Sequence, residues 1–182
     1  MGMDVVAFTR SKRSSSDPNG DETRFSPLGL GDPNGEIPSQ WFSGETQGAI
    51  DHFLSQDLDI LLVSIPLTPL TENSLGLKQF RILSKRKAII VNVARGPIIN
   101  SQDLCQALNE EVVGGAALDV TDPEPLPKDH PLWSAKNIIL TPHVSGDSAN
   151  YMTRLLDLLS ANLARLERGQ SMYNVVNRKT GY

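Results

Sequence analysis

The stretch AIIVNVARGPIIN, residues 88–100, decides the fold class of this chain. Its first six residues are nearly all apolar and rich in β-branched side chains, which is typical of a strand buried within a parallel sheet. Gly96 and Pro97 then interrupt the run, and residues 101–110 have the spacing of a helix that Asn100 or Ser101 can cap. The stretch therefore predicts a strand, a turn and a helix in succession.

The same alternation extends along the chain in both directions. Further apolar runs predict strands at residues 3–9, 59–65, 112–120 and 137–141. The helical spacing of apolar residues predicts helices at residues 47–55, 75–84 and 148–168. Apolar strands that alternate with helices indicate an α/β fold, a doubly wound parallel sheet with helices on both faces.

Residues 11–44 have a different composition, rich in Ser, Asp, Pro and Gly, and they contain the turn-forming sequence DPNG at residues 17–20 and 32–35. We expect this segment to be a loop insertion. The predicted organisation is one domain over residues 1–147 that contains the insertion, followed by a C-terminal helix and tail over residues 148–182.

The composition, with 39% hydrophobic and 21% charged residues, is that of a globular protein with a core. With a net charge of −4, the chain lacks the excess of basic residues that binding to nucleic acid or to an anionic membrane would require, so we expect neither as a partner. The single cysteine, Cys105, excludes an internal disulfide and favours a cytoplasmic location, and its apolar neighbours favour a place in the core over a reactive thiol. The three histidines and one cysteine lack ligand spacing, which indicates no metal site.

Polar or turn-forming residues follow every predicted strand, at the edge where open parallel sheets bind ligands. They are Arg10, Pro66, Arg95, Asp119 with Glu124, and His143. An arginine can hold a carboxylate through two hydrogen bonds, a histidine can exchange a proton with an oxygen, and a nearby carboxylate favours the imidazolium and fixes the ring. Taken singly, Arg95 is better explained by a surface ion pair, His143 by a structural role and Glu124 by a solvated loop.

Four long stretches, with their connections, cover about residues 59–146: SIPLTPLTENSLG, AIIVNVARGPIIN, GGAALDVTDPEPLPKDHPLW and NIILTPHVSG. In these stretches the chain resembles the D-isomer-specific 2-hydroxyacid dehydrogenase family, most closely its glyoxylate and hydroxypyruvate reductase branch. The resemblance implies a Rossmann-type NAD(P)-binding domain, an oxidoreductase that acts on small 2-oxo and 2-hydroxy acids, and a homodimer. A nicotinamide-binding regulatory protein of the same fold, like the corepressors that resemble this family, is the alternative function.

The resemblance also implies roles for individual residues. Arg95 would hold the substrate carboxylate, His143 would exchange a proton with the 2-oxo oxygen, and Glu124 would keep His143 protonated for reduction. Asp119 would bind the nicotinamide carboxamide. The remaining cofactor contacts would come from Ile65, Pro66, Val93, Ala94, His143, Ser145 and Gly146.

The end of the strand predicted at residues 3–9 bears on the choice of cofactor. At this point of a dinucleotide fold an acidic residue accepts the ribose 2′-hydroxyl of NAD, whereas arginine suits the 2′-phosphate of NADP. Thr9, Arg10 and Ser11, with Arg13 in support, form a basic tip without an acid, which favours NADP over NAD. A solvated basic turn is the alternative.

No G-x-G-x-x-G sequence, which would cradle the cofactor pyrophosphate, occurs in the 182 residues. In the strand order 3-2-1-4-5-6 the strand before that turn is central, so its loss would leave two apolar strand edges unpaired. We therefore expect a doubly wound sheet that lacks its first strand, in a truncated chain that is poorly folded and inactive on its own.

Overall fold

The computed structural model describes residues 2–12, 25–27, 29–32, 34–176 and 178. They divide into two compact units, residues 44–146 and residues 1–43 with 147–182. In chain order, the strands and helices are β1 (Val6–Thr9), β2 (Gln40–Ser43), α1 (Gln47–Leu54), β3 (Ile60–Val63), α2 (Leu77–Leu83), β4 (Ile89–Asn92), α3 (Ser101–Asn109), β5 (Gly115–Leu118), β6 (Ile138–Leu140) and α4 (Tyr151–Glu167). Every strand and helix predicted from the sequence is present, with shorter ends, whereas the predicted domain bounds at residues 147 and 148 stay a prediction.

Residues 44–146 contain a parallel sheet with the strand order β3-β4-β5-β6. Leu61, Ile90 and Ala116 lie side by side in the register and are buried. They share the hydrophobic core with side chains of α2 and α3, such as Phe80 and Leu104. The alternate strand residues point to the opposite face, where four large apolar side chains are exposed: Ile60, Leu62, Ile89 and Ile139.

A side chain caps α3, as the sequence predicts. Asn100 is the cap of α3, because its Oδ1 accepts a hydrogen bond from the Asp103 N–H at 3.0 Å. Cys105 is buried within α3, which confirms its place in the core, and burial raises the pKa of its thiol. A raised pKa opposes thiolate formation, so the structure gives Cys105 no sign of reactivity.

The prediction of a loop throughout residues 11–44 is wrong at its end. Gln40–Ser43 form β2, which pairs in parallel with β1. Trp41 and Phe42 favour extended backbone, but a run of four residues is too short to show a strand period. At the second DPNG sequence the Gly35 N–H donates to the Asp32 carbonyl at 3.1 Å, as in a turn. The first one, residues 17–20, lies outside the described residues, as does Arg13.

β1 and β2 form a sheet of their own, separate from β3–β6. Within the described ranges, no strand pairs with the second edge of β1 or of β3. Two parallel sheets of this kind are expected of a doubly wound fold that lacks its first strand.

The helix α4 belongs to the same unit as β1 and β2. None of its residues is buried, and most of its large apolar side chains are exposed. Tyr173, beyond the end of α4, contacts two residues of the helix. The Arg165 guanidinium lies 4.2 Å from the centre of the Tyr173 ring, and the Tyr173 N–H donates to Asn162 at 2.7 Å. These contacts tie the tail to the helix. No helix in the described part of the chain is long and apolar enough to cross a membrane.

Candidate active site

The carboxyl ends of three neighbouring strands carry the residues with predicted chemistry. Arg95 follows β4, Glu124 lies in the proline-rich loop after β5, and His143 follows β6. Because β4, β5 and β6 are parallel and adjacent, their carboxyl ends lie at one edge of the sheet. All three residues belong to the unit of residues 44–146.

His143 and Glu124 form a direct pair. The Nδ1 atom of His143 lies 2.6 Å from Oε1 of Glu124, and both side chains are partly exposed. With a proton on Nδ1, the ring donates to the carboxylate, which leaves Nε2 on the other side of the ring for a second partner. Pro123 and Pro125 flank Glu124 and restrict the backbone that carries it. This pair has the geometry of a histidine oriented by a carboxylate for proton transfer.

The backbone of His143 is held by Asp119. The φ angle of His143 is 56°, in the left-handed region, and the His143 N–H donates to the Asp119 carbonyl at 2.8 Å. The Asp119 carboxylate accepts from the Thr141 hydroxyl at 2.6 Å and from the N–H groups of Val144 and Ser145 at 2.9 and 2.8 Å. Hydrogen bonds from Ser145 and Thr141 hold the pKa of this carboxyl well below its usual range. Asp119 is therefore ionised and bonded to both sides of His143.

Arg95 lies in the turn after β4, which hydrogen bonds from Asn92 stabilise. The Asn92 amide donates to the Arg95 carbonyl and accepts from the Ala94 N–H, each at 3.0 Å. The Arg95 side chain is exposed, and its guanidinium donates to the Ala94 carbonyl at 2.6 Å. This bond uses one of the five N–H donors of the guanidinium, so the exposed side chain keeps donors with which it can bind a carboxylate.

The turn with Arg95 packs against the loop with Glu124. A Cβ atom on Gly96 would overlap with the carbonyl of Thr121, at the start of that loop. The Ser101 hydroxyl also donates to the Asp122 carbonyl at 3.0 Å. These contacts place the turn that carries Arg95 beside the loop that carries Glu124. Arg95 lies at the same edge of the sheet as the His143–Glu124 pair, but its side chain is not among the walls of the cavity described next.

An open cavity of about 290 Å³ adjoins the pair. Its walls combine the polar groups of the site with apolar side chains, namely Asp119, Thr121, Glu124, Pro125, Leu126, Trp133, Leu140, Thr141, Pro142 and His143. Among the described residues, no three His, Cys, Asp or Glu side chains come together as a metal site requires.

The residues predicted to line a cofactor occupy the same edge of the sheet. Pro66, Val93, Ser145 and Gly146 are exposed, and Ile65 is half-buried. A mostly apolar surface of this kind suits the nicotinamide end of NAD(P). Ala94 is buried, and both Asp119 carboxylate oxygens already accept hydrogen bonds from the chain. The cofactor contacts predicted for all of these residues stay predictions.

The predicted contacts to the cofactor ribose lie in the other unit. β1 ends at Thr9, and the Thr9 hydroxyl donates to the Ser11 carbonyl at 2.9 Å, which closes a turn around Arg10. Arg10 and Ser11 are exposed. An exposed arginine and hydroxyl at a strand end have the chemistry that a 2′-phosphate needs.

The hydrogen bonds of Asn92 are absent from the predictions made from the sequence. Their signal was an amide inside the otherwise apolar run AIIVNV, because a polar side chain in a buried strand needs a specific partner. The anchoring of His143 by Asp119 was also missed. It depends on main-chain N–H groups of residues 144 and 145, whose direction no sequence pattern reveals.

Known proteins are similar to this chain in sequence and in fold. Residues 40–145 match the model of a family described as D-isomer specific 2-hydroxyacid dehydrogenase, NAD binding domain. Glyoxylate reductase/hydroxypyruvate reductase of Mus musculus is 44% identical to this chain over 124 residues, which are 65% of this chain and 36% of that protein. The chain spans less than half the length of the curated relatives that it matches.

Solved structures of similar proteins contain the phosphorylated nicotinamide cofactor. A D-isomer specific 2-hydroxyacid dehydrogenase of Xanthobacter autotrophicus Py2, in complex with NADPH and MES, has a TM-score of 0.76 at 28% identity, over 100% of this chain and 64% of that chain. An NADPH-dependent glyoxylate/hydroxypyruvate reductase of Sinorhizobium meliloti, in complex with NADP and sulfate, has a TM-score of 0.74 at 26% identity, over 100% of this chain and 50% of that chain.

Proposed function

Because this chain belongs to the D-isomer-specific 2-hydroxyacid dehydrogenase family through its NAD-binding domain, we propose that it carries the catalytic edge of an NAD(P)-dependent reductase of small 2-oxo acids. Glyoxylate and hydroxypyruvate are the proposed substrates, and the reverse reaction oxidises the corresponding 2-hydroxy acids. The observation that carries the proposal is the 2.6 Å contact between His143 Nδ1 and Glu124, at the strand edge that also presents Arg95.

Each residue has a separate task in the reduction. The exposed Arg95 guanidinium binds the substrate carboxylate and turns the 2-oxo group toward His143. The nicotinamide, when bound, supplies the hydride that adds to the 2-carbon. His143 donates its Nε2 proton to the 2-oxo oxygen, and Glu124 stabilises the imidazolium before the transfer. The product is the 2-hydroxy acid, and His143 is left neutral.

A substrate screen of the complete gene product tests this function. Glyoxylate, hydroxypyruvate and longer 2-oxo acids are each supplied with NADPH or NADH, and the loss of nicotinamide absorbance is followed. We expect turnover of the small acids and at least about a hundredfold loss of kcat/KM in Arg95→Leu. Lys136→Leu, which removes an exposed cation paired with Glu111, is the matched control and should retain activity. No turnover of any acid would favour the alternative, a nicotinamide-binding regulatory protein.

We also propose that the enzyme prefers NADPH. The support is the basic tip Thr9-Arg10-Ser11 after β1, together with the NADPH and NADP bound to the two similar solved structures. Arg10→Asp should raise the KM for NADPH by about tenfold or more and lower the KM for NADH, because an acid repels the 2′-phosphate and accepts the ribose hydroxyl. Equal or better use of NADH by the wild-type enzyme would contradict the preference.

The assembly and the location of the complete protein are proposals as well. We infer a homodimer, as implied for the family, and light scattering on the complete gene product measures it. The proposed cytoplasmic location follows from cysteine usage alone, and fractionation of the source cells tests it.

A further inference from the structure

We propose that Asn92 and Asp119 are positioning residues: Asn92 holds the backbone of Arg95, and Asp119 holds the backbone of His143. The inference rests on the proposed function, in which Arg95 binds substrate and His143 transfers the proton. Asn92 is the last residue of β4 and Asp119 directly follows β5; they are only 1% and 5% exposed. A buried amide or carboxylate is costly unless its polar atoms are bonded, so the partners of these two groups indicate their role.

Asn92 uses its whole amide on the turn that carries Arg95. Nδ2 donates to the Arg95 carbonyl and Oδ1 accepts from the Ala94 N–H, each at 3.0 Å. The two bonds close around the peptide that joins Ala94 to Arg95 and fix the direction in which the arginine leaves the sheet. Arg95 then caps the 3-10 turn Gly96–Ile98 with extended backbone angles. Loss of the amide would free this peptide without removing the guanidinium.

Asp119 encloses His143 from both sides. Its carboxylate accepts from Thr141, two residues before the histidine, and from the main-chain N–H groups of Val144 and Ser145 directly after it. Its own carbonyl accepts the His143 N–H. Such a set of bonds stabilises the left-handed backbone of His143, which costs energy in a residue other than glycine. The bonds thereby aim the imidazole Nδ1 at Glu124.

The hydrogen bonds of Asn92 and those of Asp119 are linked, but they act on different steps of the proposed reaction. The Asp119 N–H donates to the Asn92 carbonyl at 3.0 Å, so both residues share one rung between β4 and β5. Asn92 acts through the residue that binds the substrate carboxylate, whereas Asp119 acts through the residue that transfers the proton. Substitutions at the two positions should therefore change different kinetic constants, which a merely structural role would not do.

The test uses steady-state kinetics of the complete gene product across pH. For Asn92→Ala we expect the KM of the 2-oxo acid to rise about tenfold or more while the shape of the pH profile is kept. For Asp119→Asn we expect kcat to fall about tenfold or more and the pH profile to change, with a smaller effect on KM. Where either variant fails to fold, two milder variants replace them: Asn92→Ser keeps a small polar side chain at the position, and Thr141→Val removes one hydrogen bond to Asp119.

Two matched controls separate positioning from stability. Gln79→Ala removes a buried amide that, like Asn92, accepts from a main-chain N–H and donates to an oxygen, but on α2. Asp103→Asn alters a carboxylate that accepts the Leu77 N–H, on α3. Both controls should lower the melting temperature and leave KM, kcat and the pH profile unchanged. Equal kinetic effects in the controls and in the site variants would overturn the inference.

A second measurement does not depend on activity. ¹⁵N relaxation of the backbone should show increased mobility at residues 94–96 in the Asn92 variant and at residues 142–146 in the Asp119 variant. If the wild-type protein reduces no 2-oxo acid, the proposed function fails, and these relaxation data decide the positioning roles alone. Unchanged mobility at both segments would overturn them.

Discussion

His143 combines an unusual backbone conformation with a chemically demanding side chain. Its φ of 56° lies in a region that few non-glycine residues adopt, at a cost of about 1–3 kcal/mol. The surrounding bonds to Asp119 offset this cost, and the ring is thereby delivered to the Glu124 carboxylate.

The pairing with Glu124 predicts a loss of activity in Glu124→Gln. In the proposed reaction the carboxylate orients the His143 ring through Nδ1, and a neutral amide is a weaker partner for a charged ring. We expect kcat for reduction to fall about a hundredfold. Steady-state rates of the complete gene product measure this effect. Glu110→Gln, at an exposed helix end, is the control, and equal losses in the two variants would contradict the proposed role.

The lowered pKa of Asp119 predicts how stability depends on pH. Because its carboxyl titrates lower in the folded chain than in the unfolded chain, its contribution is complete above about pH 4 and declines as the pH falls toward the folded pKa. The melting temperature of Asp119→Asn should therefore lie well below that of the wild type at pH 7. The gap should narrow below about pH 4. Calorimetric scans of the complete gene product at pH 7 and at several values below about pH 4 test this, and a constant gap would contradict it.

At the scale of elements, the turn after β4 lies in close contact with the loop after β5, and this contact sets the width of the site. Gly96, in the turn after β4, leaves no room for a Cβ beside the carbonyl of Thr121, in the loop after β5. Gly96→Ala must push the turn and the loop apart, which we expect to cost about 1–3 kcal/mol of unfolding free energy and to raise the KM of the 2-oxo acid.

A matched glycine substitution serves as its control. A Cβ on Gly48, in the first turn of α1, would meet only the Thr46 hydroxyl, at an ordinary contact distance of 3.9 Å. Gly48→Ala should leave kinetics unchanged and increase stability by up to about 1 kcal/mol, because alanine favours helix. Chemical denaturation and the KM of both variants, made in the complete gene product, give the comparison. Equal stability of the two alanine variants would show that the turn and the loop are not in contact.

The sequence alone was sufficient for the elements with a clear period or a long apolar run. β4, α3 and its Asn100 cap follow from AIIVNVARGPIIN and the residues after it. β2 could not be predicted, because Gln40–Ser43 owe their strand to pairing with β1, more than thirty residues earlier in the chain. Likewise, the motifs indicated Arg95, Glu124 and His143. They did not indicate the hydrogen bonds of Asn92 to the backbone around Arg95 or those of Asp119 to the backbone around His143, because these bonds depend on main-chain groups that the sheet brings together.

At the scale of the whole molecule, each of the two units leaves apolar surface in water. In the unit of residues 44–146, the second face of the sheet exposes Leu62 and Ile139. In the other unit, α4 exposes Met152, Leu159 and Leu163 along its length. β1 and β3 also keep one edge unpaired within the described residues. Apolar patches and open strand edges of this kind promote association between molecules.

This exposure predicts the behaviour of the 182-residue chain expressed by itself. We expect it to self-associate, to bind a hydrophobic dye and to lack a cooperative unfolding transition, as measured by light scattering, dye fluorescence and calorimetry. Leu62→Lys should reduce the association without loss of secondary structure, because Leu62 is 59% exposed. Its neighbour Leu61 is only 6% exposed and faces the core, so Leu61→Lys should unfold the domain instead. A monodisperse chain with a sharp transition and tight NADPH binding would show that the open edges and faces are tolerated, and would make the short chain itself a competent cofactor-binding unit.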